Sequence, residues 1–162
     1  MKIYLGTDHA GFYLKEKVKL FLQNKGYDTE DCGAFQFDKD DDYPDFIAKT
    51  AEEVSKNFKN SMGIIFGGSG QGEAITANKF KNIRCAVFFG NDMSMVRFFR
   101  EHNNANILSI GVRFTDEDKS LEAINIFLNT AFSNEERHVR RIEKIRHIEE
   151  DQSAKIKNQR QV

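Results

Sequence analysis

One proline and two cysteines occur in 162 residues, and the formal charges nearly cancel at −1. Cys32 and Cys85 are too few for the disulfide framework of a small secreted scaffold, and each falls in a strand-like stretch that reads as buried core. A near-neutral charge gives no bulk electrostatic pull toward nucleic acid or an anionic membrane, so neither is expected as a partner. No apolar run approaches the roughly 18–20 residues that cross a bilayer. The opening "MKIYLGTDHAG" reads as a strand that begins at once rather than as a signal peptide. A cytoplasmic protein is the expectation from these absences. Linkers rich in Ser, Pro or Gly are also missing, as are internal repeats. That leaves a single domain over 1–150 and a polar, frayed tail over 151–162.

What is present alternates between short β-branched runs and helical patterns. "KIYLGT" is followed by Leu14, Val18, Phe21 and Leu22 on one helical face, and Gly26 closes that helix. "YDTEDCG" is a weaker strand; Pro44 opens a helix carrying Ile47, Ala51, Val54 and Phe58. "MGIIFGG", "IRCAVFF" and "ANILSIG" supply three more strands, each leading into a helix, the last with Leu121, Ile124, Phe127 and Leu128. Ser133 and Glu136 form a capping-box pattern before a final helix that aligns Val139, Ile142 and Ile145. Strands alternating with helices predict right-handed βαβ crossovers and a five-stranded parallel sheet covered on both faces. Ligands of such α/β sheets sit beyond the carboxyl ends of the strands. "GTDHAG", "GGSGQGE" and "GVR" are therefore expected at one rim.

The loop "GGSGQGE" carries the most specific chemistry. It lacks the lysine of a P-loop, and a dinucleotide fingerprint would need glycine where Glu73 stands. Gly68, Ser69, Gly70, Gln71 and Gly72 can turn consecutive N–H groups toward a small anion at a helix start. Taken alone, the same residues read equally as a tight strand-to-helix turn. Glu73 adds a carboxylate beside those donors, and proton abstraction next to a carbonyl needs that pair: a base, and donors for the enediolate. The helix end should lower the Glu73 pKa, and burial should raise it.

Other candidates are weaker one by one. Asp8 and His9 follow the first strand, where they could bind sugar hydroxyls or form a helix cap. His102 and Asn103 precede the fifth strand, and Arg113 follows it. Arg137 and Arg141 are i, i+4 neighbours with His138 and Arg140 beside them, a pattern that suits a phosphate or a solvated face. The acidic stretch "FDKDDDYPD" starts like a calcium loop but has Tyr43 and Lys49 where glycine and glutamate are needed, so it reads as solvated.

In this order, "GTDHAG", "GGSGQGE", "ANK", "REHNNAN", "GVR" and "RHVRRIE" resemble the ribose-5-phosphate isomerase B family, which includes the lactose-pathway galactose-6-phosphate isomerase subunits. The resemblance covers residue 1 to about 150. It implies a Rossmann-like three-layer αβα sandwich with an extra C-terminal helix, and aldose–ketose isomerisation of a phosphorylated sugar with no metal or other cofactor. Ribose 5-phosphate is the expected substrate; a six-carbon sugar phosphate or a non-catalytic sugar-phosphate-binding role are the alternatives. It further implies Glu73 as base and His102 as ring-opening acid. Asp8, His9 and Asn103 would bind the sugar, and the 68–72 loop would hold the enediolate. Arg113, Arg137 and Arg141 would clamp the phosphate, joined by His138. Some family members place a cysteine base where this chain has Gly67, which leaves Glu73 for that role. A homodimer or dimer of dimers, with active sites at the interface, is the implied assembly.

Overall fold

The computed structural model describes residues 1–159. In chain order it contains β1 (Lys2–Thr7), a 3-10 turn (His9–Gly11), α1 (Phe12–Asn24), β2 (Asp28–Asp31), α2 (Tyr43–Lys56) and β3 (Ser61–Gly67). Then come α3 (Gln71–Ala77), β4 (Cys85–Phe88), α4 (Met93–Glu101), β5 (Ile107–Gly111), α5 (Glu117–Asn129) and α6 (Glu136–Gln159). All strand pairs are parallel, in the order β2-β1-β3-β5-β4. The chain moves from β1 outward to β2, then returns past β1 to β3, so the crevice between β1 and β3 is a topological switch point.

Side chains alternate across the sheet and divide the core in two. Ile3, Leu5, Ile64, Phe66, Leu108 and Ile110 face α1, α4 and α5, where Val18, Leu22, Val96, Ile124 and Phe127 meet them. Tyr4, Ile65 and Ile107 face the opposite way, onto Ile47, Ala51 and Val54 of α2 and Ala77 of α3. Every residue of β3 and β5 is buried, as strands covered on both faces require. This is the expected three-layer αβα sandwich, with α6 as the additional helix.

α6 departs from the expected pattern at both ends. Ser133 does not cap it: the helix begins at Glu136, and Ser133 Oγ lies 2.9 Å from His138 Nδ1 instead. Ser133 lies three residues ahead of the first helical residue, and its Oγ accepts from Glu135 N–H at 3.4 Å, so it shapes the turn before the helix rather than capping it. At the other end the helix passes residue 150, where a frayed tail was expected, and continues to Gln159; positions 160–162 of that tail lie outside the described residues. Val139, Ile145 and Ile148 on α6 are 40, 48 and 57% exposed, so its apolar ridge is not covered by its own sheet.

Candidate active site

β1, β3 and β5 end in register, with Thr7 opposite Phe66 and Gly67 opposite Gly111. The segments that follow them therefore share one rim, as the sequence predicts. The β3–α3 loop is tied down through its carbonyls. Val112 and Arg113 N–H groups donate to Gly67 and Gly68 oxygens at 3.0 and 3.1 Å, and Ser109 Oγ donates to the Gly70 oxygen at 2.7 Å. Gly70 sits at φ +75°, a left-handed conformation that a side chain would strain. Among the described residues, the amides of Ser69, Gly70 and Gly72 have no acceptor, while Gln71 N–H donates to Ser69 Oγ at 3.3 Å. The result is a cradle of N–H groups with its carbonyls turned away.

Glu73 follows this cradle in the first turn of α3 and is only 4% exposed. Its carboxylate lies against Gly67 so closely that a methyl group there would overlap it. The same space cannot hold both this carboxylate and a side chain at position 67. Burial pushes the Glu73 pKa above the ordinary carboxylate value; its own backbone N–H opposes the shift, nearby Asp8 adds to it, and Arg113 opposes it. Burial thus prevails over the helix end. The Arg113 guanidinium rests on Gly68, and the Tyr43 phenol rests on Gly72.

Asp8 is 6% exposed and caps the 3-10 turn, accepting from Ala10 N–H at 2.9 Å. The cap in its sequence reading holds, and its carboxylate also lies near Glu73 and His9. His9 is held by Asp41, whose Oδ1 accepts from His9 N–H at 3.0 Å and lies 2.7 Å from His9 Nδ1. The solvated reading of the acidic loop is therefore corrected at Asp41, whose side chain is 8% exposed, although Asp40 beside it is 80% exposed. Asp8, His9 and Asp41 each bring a ligand atom within 4.8 Å of the others. The short Asp41–His9 contact engages Nδ1 through a proton, so the group is organised by hydrogen bonds.

A second group lies at the other end of the sheet. His102 caps the C-terminus of α4 just before β5, and β5 is five residues long. By the rise of a strand, the two ends of β5 are roughly 15 Å apart. His102 is sandwiched between Phe98, with ring centroids 4.9 Å apart, and His138, at 4.4 Å. His138, expected beside the phosphate arginines, is 2% exposed and bonded to Ser133, so it braces His102 from below. Its burial lowers its pKa; Glu135 opposes this, and His102, Arg137 and Arg141 add to it. Arg141, His102 and Asn103 line a cavity of about 410 Å³ between α6 and the start of β4. Arg137 pairs with Glu135 at 2.8 Å on the exposed surface.

The expected residues thus form two groups: Asp8, His9, the 68–72 loop, Glu73 and Arg113 at the carboxyl rim, and His102, Asn103, Arg137, His138 and Arg141 at the amino rim. Among the described residues, no hydrogen bond or ion pair joins one group to the other. Neither cysteine joins either group as a base. Both are free thiols, Cys32 pushed up to about 11 by burial and Cys85 also raised by burial.

The Ribose/Galactose Isomerase family model matches residues 3–145. Ribose-5-phosphate isomerase B of Mycolicibacterium paratuberculosis is 40% identical over 154 residues, covering 95% of both chains. The crystal structure of ribose-5-phosphate isomerase B from Mycoplasma genitalium with bound ribulose-5-phosphate superposes with a TM-score of 0.88 at 34% identity, covering 92% of this chain and 96% of that one. The Clostridium thermocellum ribose-5-phosphate isomerase B structure gives 0.86 at 40% identity, covering 93% and 99%.

Proposed function

The chain belongs to the Ribose/Galactose Isomerase family, and from that premise we infer that it is an aldose–ketose isomerase interconverting ribose 5-phosphate and ribulose 5-phosphate. The carrying observation is the buried Glu73 carboxylate poised beside unpaired loop amides. After ring opening with His102 as acid, Glu73 takes the proton from C2 of the aldose and returns it to C1, while the hydroxyl proton passes from O2 to O1. The enediolate oxygen that forms is received by the loop N–H groups, which need no reorganisation because their carbonyls are already held. The raised Glu73 pKa makes it a stronger base once ionised. A six-carbon sugar phosphate is not favoured, because the relatives above are ribose-5-phosphate isomerases.

The complete site draws on two copies of the chain. One copy supplies Glu73, the loop, Asp8, His9 and Arg113; the other supplies His102, Asn103, Arg137 and Arg141. The separation of the two groups within one chain and the uncovered apolar ridge of α6 support a homodimer, or a dimer of dimers, that brings them together. In that assembly Arg113 from one chain and Arg137 and Arg141 from its partner grip the phosphate. The reduced cysteines and metabolic relatives fit a cytoplasmic enzyme. The described residues contain no helix long and apolar enough to cross a membrane.

Glu73→Gln tests the assignment. Turnover of ribose 5-phosphate should fall about 10³-fold, within the range that a general base supplies, with the circular dichroism spectrum unchanged. Full turnover in that variant would remove Glu73 from the reaction.

A further inference from the structure

His9 is the one histidine at the carboxyl rim, and its surroundings are unusually defined for a residue whose side chain is 31% exposed. Asp41 reaches it from the loop between β2 and α2, 32 positions away in sequence, and engages two of its donors with one oxygen. The other oxygen, Asp41 Oδ2, is buried and has no partner. Leaving a carboxylate oxygen unpaired in a buried position costs free energy, on the order of 1–3 kcal/mol. A purely structural loop contact would not need a carboxylate there, since an amide could accept the same two bonds.

We propose that Asp41 is a positioning residue for His9: by accepting both N–H groups it fixes the Nδ1-protonated imidazole and leaves Nε2 as the nitrogen offered to an oxygen of the phosphosugar. A carboxylate behind a functional histidine sets which ring nitrogen carries the proton and steadies the imidazolium. Three charged side chains from separate segments face the ring. Asp41 raises its pKa most strongly, Asp8 raises it further, and Arg113 after β5 opposes them, with burial also opposing. The net shift is upward, so the imidazolium, whose Nε2–H donates, persists to higher pH than in a free histidine. With Arg113 it presents two cationic groups beside the loop, suited to an anionic sugar phosphate.

This role rests on the isomerase reading for its ligand, but the dyad itself is testable without turnover. Nitrogen-15 NMR of the wild-type protein should show neutral His9 as the Nδ1-protonated tautomer, and Asp41→Asn should lower the His9 titration midpoint. In assays with ribose 5-phosphate at a pH between the two measured His9 midpoints, the variant should raise KM about tenfold, the worth of one charge-assisted hydrogen bond. At a pH below both midpoints its KM should approach the wild-type value, with kcat within about twofold throughout. An Nε2-protonated tautomer in the wild type, an unmoved midpoint, or an equal loss at both pH values overturns the proposal. The wild-type tautomer decides the matter even if Asp41→Asn does not fold. A wild-type protein without isomerase activity removes the ligand assignment, and the NMR result still decides the dyad.

Discussion

The two rims of the sheet solve different problems. At the carboxyl rim, the functional groups are seated by their own chain: Glu73 and Asp8 are buried, and the loop carbonyls have donors. At the amino rim, His102 and Arg141 line an open cavity together with Ile142, Ile145 and Ile148 of α6, the last two of them exposed. Tuning a base requires desolvation, and desolvation is possible only where sheet, loop and helix close around the carboxylate. Gripping a ligand's far end requires exposed cations that a second surface can approach. The contrast teaches that one chain encloses the Glu73 carboxylate completely while it leaves the group around His102 and Arg141 open.

Filling the seat of the base is the harshest way to disturb the carboxyl rim. Gly67→Ala places a methyl group on the Glu73 carboxylate and must displace it. Because displacement of a reacting group by about 1 Å can cost 10²-fold, kcat should fall by about that factor. The overlap should also cost about 1–3 kcal/mol in urea unfolding, and most of this cost should vanish in a Glu73→Ala background. A cost that persists in that background would place the strain elsewhere than on Glu73.

A gentler probe uses pH. The folded-state pKa of Glu73 lies above the ordinary carboxylate value, so the folded chain binds more protons there than the unfolded chain. Stability contributed by this group is therefore present below the ordinary value, falls as pH rises through the window up to the folded value, and is flat beyond it. Glu73→Gln removes that loss. Its Tm should exceed the wild-type Tm at pH 8, and the gap should close as pH falls to the ordinary carboxylate value. A variant less stable than wild type at pH 8 would mean that Glu73 is stabilised rather than penalised in its seat.

Much of the carboxyl rim was legible in the sequence, because continuous apolar strands followed by glycines and an acid leave few placements for the loop. The strand order was not: nothing in "IRCAVFF" or "ANILSIG" says that β5 inserts between β3 and β4. Asp41 was missed because the run of aspartates around it carries no periodicity, and only the path of the loop past His9 buries one of them. Tyr43 entered the sequence reading only as the residue that breaks a calcium-loop pattern, whereas its ring covers Gly72. His138 was grouped with the arginines by adjacency and by the family resemblance; its stacking on His102 was not legible, because only the fold brings α6 against the end of α4. The two-rim division itself was implicit in the placement of His102 before β5 and Arg113 after it.

The decisive measurement is complementation between two disabled chains. Glu73→Gln inactivates the carboxyl rim and His102→Gln the amino rim, so each homodimer should be nearly inactive. Co-expressed in equal amounts, the two chains should form mixed dimers in about half of the population, each with one intact site, and recover about a quarter of wild-type activity. Activity no higher than the mean of the two parents, in a preparation shown by mass to contain mixed dimers, would contradict a site assembled from opposite rims of two chains.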